Sequence, residues 1–407
     1  MEDYCSVMNP YAIAELLLGK RIRWNTIKDK KSFLEKAFGF PYAHLFDPKF
    51  KSPIFGLPEK EIKKYAFLSK LDFSGIKKDD YKKRISIVEK EIVPKNIGID
   101  VDWYMKLNDK TRWVFLNLWF LELAETTNEE YTPENASWRD IGDFYEEGTE
   151  FSDPVQGHLG DCYLIAALCS IAWTRPYIIA HRNIPTGNAQ NAFLDRITFY
   201  DSGNPVDIDV TEELPVDNTT NTLKYARSSE DGELWCGIYE KAYAKWITNN
   251  PTDRPNYAPL RGGSPRRTAA HITNLSGTRI SNSTKTEDEL WHIVRQHSIG
   301  KKTFDPMFAC TYPSADDAPN PINYADANIS ANHCYSILGW DFVNSKKYIV
   351  IRNPWGHHEA ELNILNGFWN PIRTPGNFQQ IELNNNGVFA IEADTFKKYY
   401  ASISWVA

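Results

Sequence analysis

Apolar and polar positions are spaced differently at the two ends of the chain. Up to about residue 105, short apolar stretches alternate with lysine-rich ones, as in KSFLEKAFGF and EKEIKKYAFLSKL. This spacing is typical of short amphipathic helices, and the Pro and Gly residues between them indicate turns. Residues 109–125 are predicted to form a buried helix, and the polar residues 126–142 a loop or linker.

The second half of the chain changes from helical to strand-like periodicity. Small and large apolar residues on all sides predict a helix over about 162–173, and apolar residues at i, i+4 spacing predict a second helix over 232–248. Alternating apolar and polar residues, interrupted by turn-forming residues, predict strands. The predicted strands cover 193–200, 204–214, 333–342 and 346–355, and a last strand with a short helix covers 387–400. A helical part followed by a strand-rich part predicts an α+β fold.

The net charge of −7 is unevenly distributed. Residues 1–100 hold 20 Lys and Arg against 14 Asp and Glu, a local charge of +6, which leaves −13 for the rest. An acidic chain gives no electrostatic reason to expect nucleic-acid binding. The asymmetry predicts that a basic extension over residues 1–105 docks on an acidic unit. We divide that unit into a helical part, 106–260, and a β-rich part, 261–407.

Six cysteines are scattered without a C-x-x-C pair, which predicts free thiols in a reducing compartment. The first residues are acidic where a signal peptide is basic, and the longest apolar block, WVFLNLWFLEL, is too short to span a bilayer. We therefore expect a cytoplasmic or otherwise intracellular protein without a membrane span. Secretion after removal of a leader stays open.

One cysteine follows a loop that is unusual for a core position. In DPVQGHLGDCYLIAALCS, Cys162 begins an apolar helix, Asp161 is the expected N-cap, and Gly157 and Gly160 permit a tight approach. A thiol at a helix N-terminus faces free N–H groups and the positive end of the helix dipole, which favour the thiolate. Gln156 is placed to form, with the Cys162 N–H, a two-donor oxyanion hole. A cysteine that merely packs in the core is the alternative.

A thiolate nucleophile needs an imidazole partner and a group that orients the imidazole. His333 stands at a strand start in NHCYSILGW, and Asn353 stands at the end of the next strand in VIRNPWG. If the two strands pair as a hairpin, both side chains lie at one rim. Trp355 would then cover the bond between them.

Six blocks occur in order, and each resembles a block of the calpain protease core. They are QGHLGDCYLIAAL, ELWCGIYEKAYAK, NYAPLRGG, NHCYSILGW, VIRNPWG and NNGVFAIEADTF, within about residues 138–407. Calpains are papain-like cysteine endopeptidases, so the resemblance implies an α+β fold with a helical lobe and a β-rich lobe, behind a mostly helical N-terminal extension. The residues that match are Cys162 as nucleophile, His333 as general base and acid, Asn353 as its orienter, Gln156 as oxyanion donor, Trp355 beside the triad, and Gly262 and Gly263 along the substrate backbone.

Three residues depart from the calpain pattern. Tyr163 stands where calpains usually have Trp, Asn332 replaces the Gly before the histidine, and Cys334 replaces an Ala. Asn332 is expected to narrow the primed side of the cleft or to alter specificity. Cys334 is expected to point away from His333 and so not to compete as a nucleophile.

Calpain cores carry two calcium sites, and the resemblance implies only one here. Asp153 and Glu233 match carboxylate ligands of the first site and Gly148 matches a carbonyl ligand, a set of oxygens suited to calcium. The alternative is that the two carboxylates are solvated loop charges. In the second site Glu359 is retained, but acidic positions hold neutral residues, so this site is expected to be lost. The neutral residues are Asn366, Asn386 and Val388.

The resemblance implies hydrolysis of peptide bonds in extended polypeptides through a Cys162 thioester, with no cofactor for the chemistry. Two alternatives remain: a papain-like transamidase or deamidase, and a catalytically silent binding module, with residues 312–330 as a lid over an intact triad. The partners would be protein or peptide substrates. Residues 1–105 are a pro-segment or regulatory module, a substrate-recruiting module, or an inert extension.

The remaining histidines and cysteines receive less specific expectations. His158 is a candidate substrate contact because it lies in the loop before the nucleophile. His357 and His358 are expected in a surface loop. The cysteines for which the sequence offers no partner are Cys5, Cys236 and Cys310.

Overall fold

The computed structural model describes residues 4–46, 63–93, 99, 102–122, 129–189, 192–374, 377–378 and 380–407. Its α-helices are α1 Pro10–Leu18, α2 Lys30–Phe38, α3 Tyr81–Ile92, α4 Asp109–Leu116, α5 Cys162–Thr174, α6 Pro176–Arg182, α7 Trp235–Ile247, α8 Pro265–Thr273, α9 Glu287–Gln296, α10 Tyr324–Ala327 and α11 Ala393–Tyr399. A π-helical stretch, Asn117–Leu121, continues α4. The helix predicted over 109–125 is therefore present as far as residue 122, and the rest of the prediction lies outside the described residues.

Eight strands of the described residues form one large antiparallel sheet, and the others form small sheets of two or three strands. The strands are β1 Ala136–Arg139, β2 Asn183–Ala189, β3 Ala192–Asp201, β4 Asn204–Thr211, β5 Leu214–Asp217, β6 Gly277–Ser281, β7 Ser298–Ile299, β8 Lys302–Thr311, β9 Cys334–Val343, β10 Lys346–Arg352, β11 Ile364–Leu365, β12 Phe368–Trp369, β13 Arg373–Thr374, β14 Asn377–Phe378, β15 Ile381–Glu382, β16 Val388–Glu392 and β17 Tyr400–Val406. The large sheet has the order β11-β16-β10-β9-β8-β17-β6, and β7 pairs with β8. The fold is α+β.

Two consecutive pairs of the predicted strands form hairpins. β3 and β4 pair antiparallel around residues 201–204, and β9 and β10 pair around residues 343–346. The polar stretch 126–142 is not wholly a loop, because β1 lies within it and pairs with β5. A strand of four residues such as β1 is hard to recognise from sequence when its partner strand lies about 80 residues away.

Helix α5 lies against the large sheet and is buried on all sides. A helix that is apolar all round belongs in a core, and three side-chain hydrogen bonds fix its orientation. Ser170 donates to the Met307 carbonyl at 2.7 Å, and Trp173 donates to the Leu338 carbonyl at 2.8 Å. From the sheet, Ser336 donates to the Ala166 carbonyl at 2.8 Å. The N-terminus of α5, where Cys162 lies, is thus held against β8 and β9.

The N-terminal helices contribute to the same hydrophobic core as the rest of the chain. Trp24 packs edge-on against Tyr11 and donates to Glu15, which also accepts from Arg227 at 2.9 Å. Lys31 forms an ion pair with Glu361 at 2.6 Å. The Glu15–Arg227 and Lys31–Glu361 ion pairs join the N-terminal residues to later parts of the chain. Among the described residues, no helix has the length and apolar character needed to cross a bilayer.

Candidate active site

Cys162 is the first residue of α5 and is completely buried. Asp161 occupies the N-cap position, but its side chain makes no capping hydrogen bond; its carbonyl accepts from the Leu164 N–H at 2.8 Å. Burial alone would raise the pKa of the Cys162 thiol. Hydrogen bonds with Cys334 and His333, and the charge of His333, outweigh burial and hold this pKa well below its ordinary value.

His333 and Asn353 lie together at the end of the β9–β10 hairpin. His333 Nε2 is 2.8 Å from the Asn353 side-chain oxygen. The Asn353 amide is itself fixed, because its nitrogen donates to the His358 carbonyl at 3.0 Å and its oxygen also accepts from the Trp355 N–H at 3.1 Å. This arrangement makes Nε2 the protonated nitrogen and leaves Nδ1 for Cys162.

Trp355 stacks beside the histidine and shields it. Its ring centroid lies 4.5 Å from that of His333, with the planes 34° apart, and the side chain is buried. The loop before the nucleophile is tied to the same region, because the Gln156 N–H donates to the Pro354 carbonyl at 2.9 Å. Arg352 adds a second tie by donating to the Ser152 carbonyl at 2.6 Å. The strand that carries Asn353 and the loop that carries Gln156 are therefore held in register.

The first described residues of the chain lie in this site and pair with its backbone through an isolated antiparallel β-bridge. Cys5 and Gly263 exchange two backbone hydrogen bonds, 2.9 Å from the Cys5 N–H and 3.1 Å from the Gly263 N–H. The next residue, Ser6, donates its N–H to the Asn332 carbonyl at 3.1 Å, and its hydroxyl accepts from the Asn332 side chain at 2.6 Å. Residues 4–9, which we call the cleft segment, thus contact both walls beside Cys162.

The cleft segment continues past the nucleophile to Gln156. The Gln156 side-chain nitrogen donates to the Val7 carbonyl at 2.9 Å and to the Leu159 carbonyl at 2.5 Å. Asn9, which caps α1, donates to the Gln156 carbonyl at 2.6 Å. The amide predicted to face an oxyanion therefore already binds a peptide carbonyl of the same chain.

The backbone conformations of Gly262 and Asn332 allow the cleft segment to approach the cleft walls closely. Gly262 has a φ of +85°, and a Cβ atom there would lie 2.4 Å from the Tyr4 hydroxyl. Asn332 has a φ of +55°, in the left-handed region that Asn tolerates better than most residues, which accounts for its presence where the calpain pattern has Gly. Its contacts to Ser6 place it on the same wall of the cleft as His333.

Cys334 contacts the nucleophile and belongs to a group of thiols. Burial, followed by hydrogen bonds with the thiols of Cys162, Cys310 and Cys5, raises the pKa of Cys334 well above its ordinary value. The expectation that Cys5 and Cys310 have no partner is wrong, because their sulfurs and that of Cys334 lie within 4.8 Å of one another. Cys236 is buried elsewhere in the core, and no disulfide bond joins any of the cysteines of the described residues.

Asp153 and Glu233 are buried close to each other in the loops before α5 and α7. Burial, opposed by hydrogen bonds and reinforced by the charge of Glu233, raises the pKa of Asp153 to about 7. Burial also raises the pKa of Glu233, and its Oε1 has no hydrogen-bond partner among the described residues. Gly148, in the loop leading to Asp153, has a φ of +145° that favours glycine. Two crowded carboxylates with an orphaned oxygen fit a cation with oxygen ligands.

The second group of calpain-like calcium positions is occupied by other interactions. Glu359 accepts from the Gly387 N–H at 2.8 Å and lies 3.8 Å from the Lys30 ammonium of α2. A lysine therefore supplies positive charge beside the retained carboxylate. The neutral positions bind within the protein: Asn366 accepts from Asn384, the Asn386 carbonyl accepts from Arg352, and Val388 is buried.

Two histidines outside the triad, His158 and His358, lie against the N-terminal residues. His158 is buried and its Nε2 is 3.0 Å from the Ala12 carbonyl; burial, with nearby cationic charge, lowers its pKa to about 3. The expectation of a surface loop is wrong for His358, which is buried and lies 2.9 Å from the Tyr42 hydroxyl. Helix α1 and the turn at Tyr42 cover it, and His357 is half-buried.

Sequence comparisons agree with this geometry. Residues 128–407 match the family described as calpain family cysteine protease. The chain is 26% identical to a thiol protease of Porphyromonas gingivalis, over 66% of this chain and 58% of that protein. It is 26% identical to calpain clp-1 of Caenorhabditis elegans, over 62% and 32%, and 27% identical to human calpain-9, over 65% and 41%.

The chain thus spans between about a third and three fifths of the length of these relatives. The family match covers more than half of the chain, including every residue of the Cys162, His333 and Asn353 group. The chain belongs to the calpain family of cysteine proteases.

Proposed function

We propose that this protein is a cysteine endopeptidase that cleaves extended, exposed polypeptide segments. The observation that carries the proposal is the cleft segment, which pairs its backbone with Gly263 and Asn332 beside Cys162. An extended peptide held by main-chain hydrogen bonds leaves side-chain choice open. Such a cleft suits loops and linkers of many sequences.

The residues of the site support acyl transfer through a thioester. The Cys162 thiolate would attack a peptide carbonyl while Gln156 Nε2 and the Cys162 N–H stabilise the oxyanion. His333 would then give its proton to the leaving amine, and later take a proton from the water that hydrolyses the thioester. Asn353 keeps the imidazole in the tautomer and orientation that both transfers need.

Two other functions are compatible with the same triad. In a transamidase or deamidase, a glutamine side chain would replace the peptide bond; the two-sided backbone pairing at Gly263 favours a main chain instead. A silent binding module would hold peptides without cleaving them. The lowered pKa of Cys162 favours a reactive thiol over a silent one. The loop 312–330 is anchored through Tyr324, which donates to the Tyr399 carbonyl at 2.9 Å, so we give it no lid role.

We propose further that residues 1–105 include a pro-segment or regulatory module, with the cleft segment as its inhibitory part. Gln156, the proposed oxyanion donor, already binds Val7, so a substrate carbonyl competes for that donor.

A thiol-directed epoxide is expected to modify Cys162 alone. The lowered pKa of this thiol should keep it reactive at pH values well below about 8.5, the ordinary thiol pKa. Intact mass would show one adduct, peptide mapping would place it, and casein cleavage would fall in proportion to the adduct. The reaction is run on the whole chain and on a chain that lacks residues 1–6, so that a covered cleft does not hide a reactive sulfur.

Cys162→Ala serves as the control and should take up no adduct. Proportional loss of casein cleavage identifies a peptidase, whereas release of ammonia from glutamine would identify a deamidase. If both folded chains stay unlabelled, the endopeptidase proposal is wrong and the binding module takes its place.

We also propose that Asp153, Glu233 and the Gly148 carbonyl hold one calcium ion. The orphaned Glu233 oxygen and the mutual repulsion of the two carboxylates support it. Bound calcium would supply positive charge that keeps both carboxylates ionised and ties the loop before Cys162 to the start of α7.

Calcium is expected to raise the melting temperature by about 2–5 °C at pH 7.5, and by less at pH 5. The raised pKa of Asp153 means that the folded protein holds a proton between about pH 4, where the unfolded carboxyl ionises, and pH 7. Without calcium, this carboxyl therefore loses its stabilising contribution as the pH rises through that window. Calcium competes with the proton and restores stability where the carboxyl is ionised.

Asp153→Asn and Glu233→Gln should abolish the calcium response, as measured by thermal unfolding with calcium or chelator. Glu359→Gln is the matched control at the second position and should keep the response of the wild type. A response that survives Asp153→Asn, or that disappears in Glu359→Gln, would place the calcium elsewhere.

A further inference from the structure

Three cysteines from three separate segments meet beside the candidate nucleophile. Cys5 comes from the cleft segment, Cys310 from β8 and Cys334 from β9, and all are buried. Their sulfurs lie within 4.8 Å of one another, and those of Cys310 and Cys334 are 2.7 Å apart. The last two are directly paired across the two strands, so the sheet holds them side by side.

The spacing of the three sulfurs fits a thiophilic metal ion. Zinc binds thiolates at about 2.3 Å, which in a tetrahedral site separates the sulfurs by about 3.8 Å. The upper limit of 4.8 Å includes that value, and the Cys310–Cys334 pair would open by about 1 Å. A disulfide would use two of the thiols and leave the third, whereas a soft cation uses all three.

We propose that Cys5, Cys310 and Cys334 form a binding site for one thiophilic divalent cation, with Zn²⁺ as the natural example. Each thiol loses its proton to solvent when it binds, so three protons leave for each ion taken up. Three protein sulfurs complete three positions of a tetrahedral ion and leave the fourth for a water molecule or for Cys162, whose thiol contacts Cys334. The proposal goes beyond the proposed peptidase activity and does not depend on it.

Metal in this site would keep the cleft segment in place. Two ligands belong to the large sheet, and the third, Cys5, is the residue that pairs with Gly263. An ion shared among them joins the segment to the cleft wall by bonds stronger than its backbone hydrogen bonds. It would also engage Cys334, the thiol that hydrogen-bonds to Cys162. Loaded protein should therefore react more slowly with the epoxide than metal-free protein.

Cadmium and zinc, added to the reduced whole chain, are the probes. Equilibrium dialysis should give one ion per chain, and Cd²⁺ should produce the ultraviolet charge-transfer absorption of thiolate bound to metal. The measurement is made on the Cys162→Ala variant. This variant cannot bind an ion through Cys162 and His333, so any ion that it retains is bound elsewhere. Retention of one ion in that background is the expected result.

Cys5→Ser, Cys310→Ser and Cys334→Ala should each weaken binding by at least about 100-fold and reduce the charge-transfer band. Cys236→Ser removes a buried thiol outside the site and should leave binding unchanged. Since Cys5 lies outside the sheet, Cys5→Ser keeps the test valid if a strand variant fails to fold. Loss of the ion in Cys162→Ala, or full binding in folded Cys5→Ser, would overturn the proposal.

Discussion

Cys162→Ala is expected to reduce kcat/KM for a peptide or casein substrate by at least about 10³-fold, with His333→Ala close behind. The nucleophile and the base act as one unit, so removing either loses most of what both contribute, as in serine peptidases. Asn353→Ala should cost less, because it leaves the base in place and removes only its orientation by a 2.8 Å hydrogen bond. The double variant of Cys162 and His333 should be little worse than Cys162→Ala alone.

Hydrolysis is measured on chains that lack residues 1–6. In these chains the cleft segment cannot block substrate access and so hide the differences in kcat/KM between variants. The matched control is Cys169→Ala, a buried cysteine two turns further along the same helix that packs in a separate core cluster. It should lose some thermal stability and keep its kcat/KM within a few-fold. Comparable hydrolysis by Cys162→Ala would exclude a thioester mechanism.

The local pattern was sufficient to predict much of the fold. The pattern of apolar residues predicted α5, α7 and the β9–β10 hairpin nearly to their ends, because each is an apolar run bounded by polar or turn-forming residues. The hairpin then brings His333 and Asn353 together, as the 20-residue spacing required. These contacts join two consecutive strands, where the geometry of the connecting turn fixes the register.

Contacts between distant parts of the chain were not predictable in this way. Cys5 meets Gly263 across more than 250 residues, and no periodicity in either segment indicates that pairing. The sequence predicts a surface loop for His358 because the helix that buries it comes about 350 residues earlier. For the thiol group, the sequence offered one signal, Cys334, which stands where calpains have alanine. The sequence alone did not indicate that Cys5 and Cys310 lie beside it.

Removal of residues 1–6 is expected to increase the rate of Cys162 labelling by at least tenfold, and removal of residues 1–3 to change it less than twofold. The longer deletion eliminates three backbone hydrogen bonds, to Gly263 and Asn332, and the 2.6 Å contact of the Ser6 hydroxyl. At about 0.5–1.5 kcal/mol each, these four bonds contribute about 2–6 kcal/mol before the cost of ordering the segment. A net 1.4 kcal/mol corresponds to a factor of ten in occupancy.

Because the segment is tethered, it competes at high effective concentration, and added substrate alone displaces it poorly. Both deletions keep Asn9 and α1, so the N-terminal core should remain intact, as thermal unfolding would verify. A synthetic peptide with the sequence of residues 4–9 should slow labelling of the shorter chain, since it restores the same pairing. Equal labelling rates in both deletions would mean that the cleft segment leaves Cys162 accessible, and inhibition would then have to come from another part of residues 1–105.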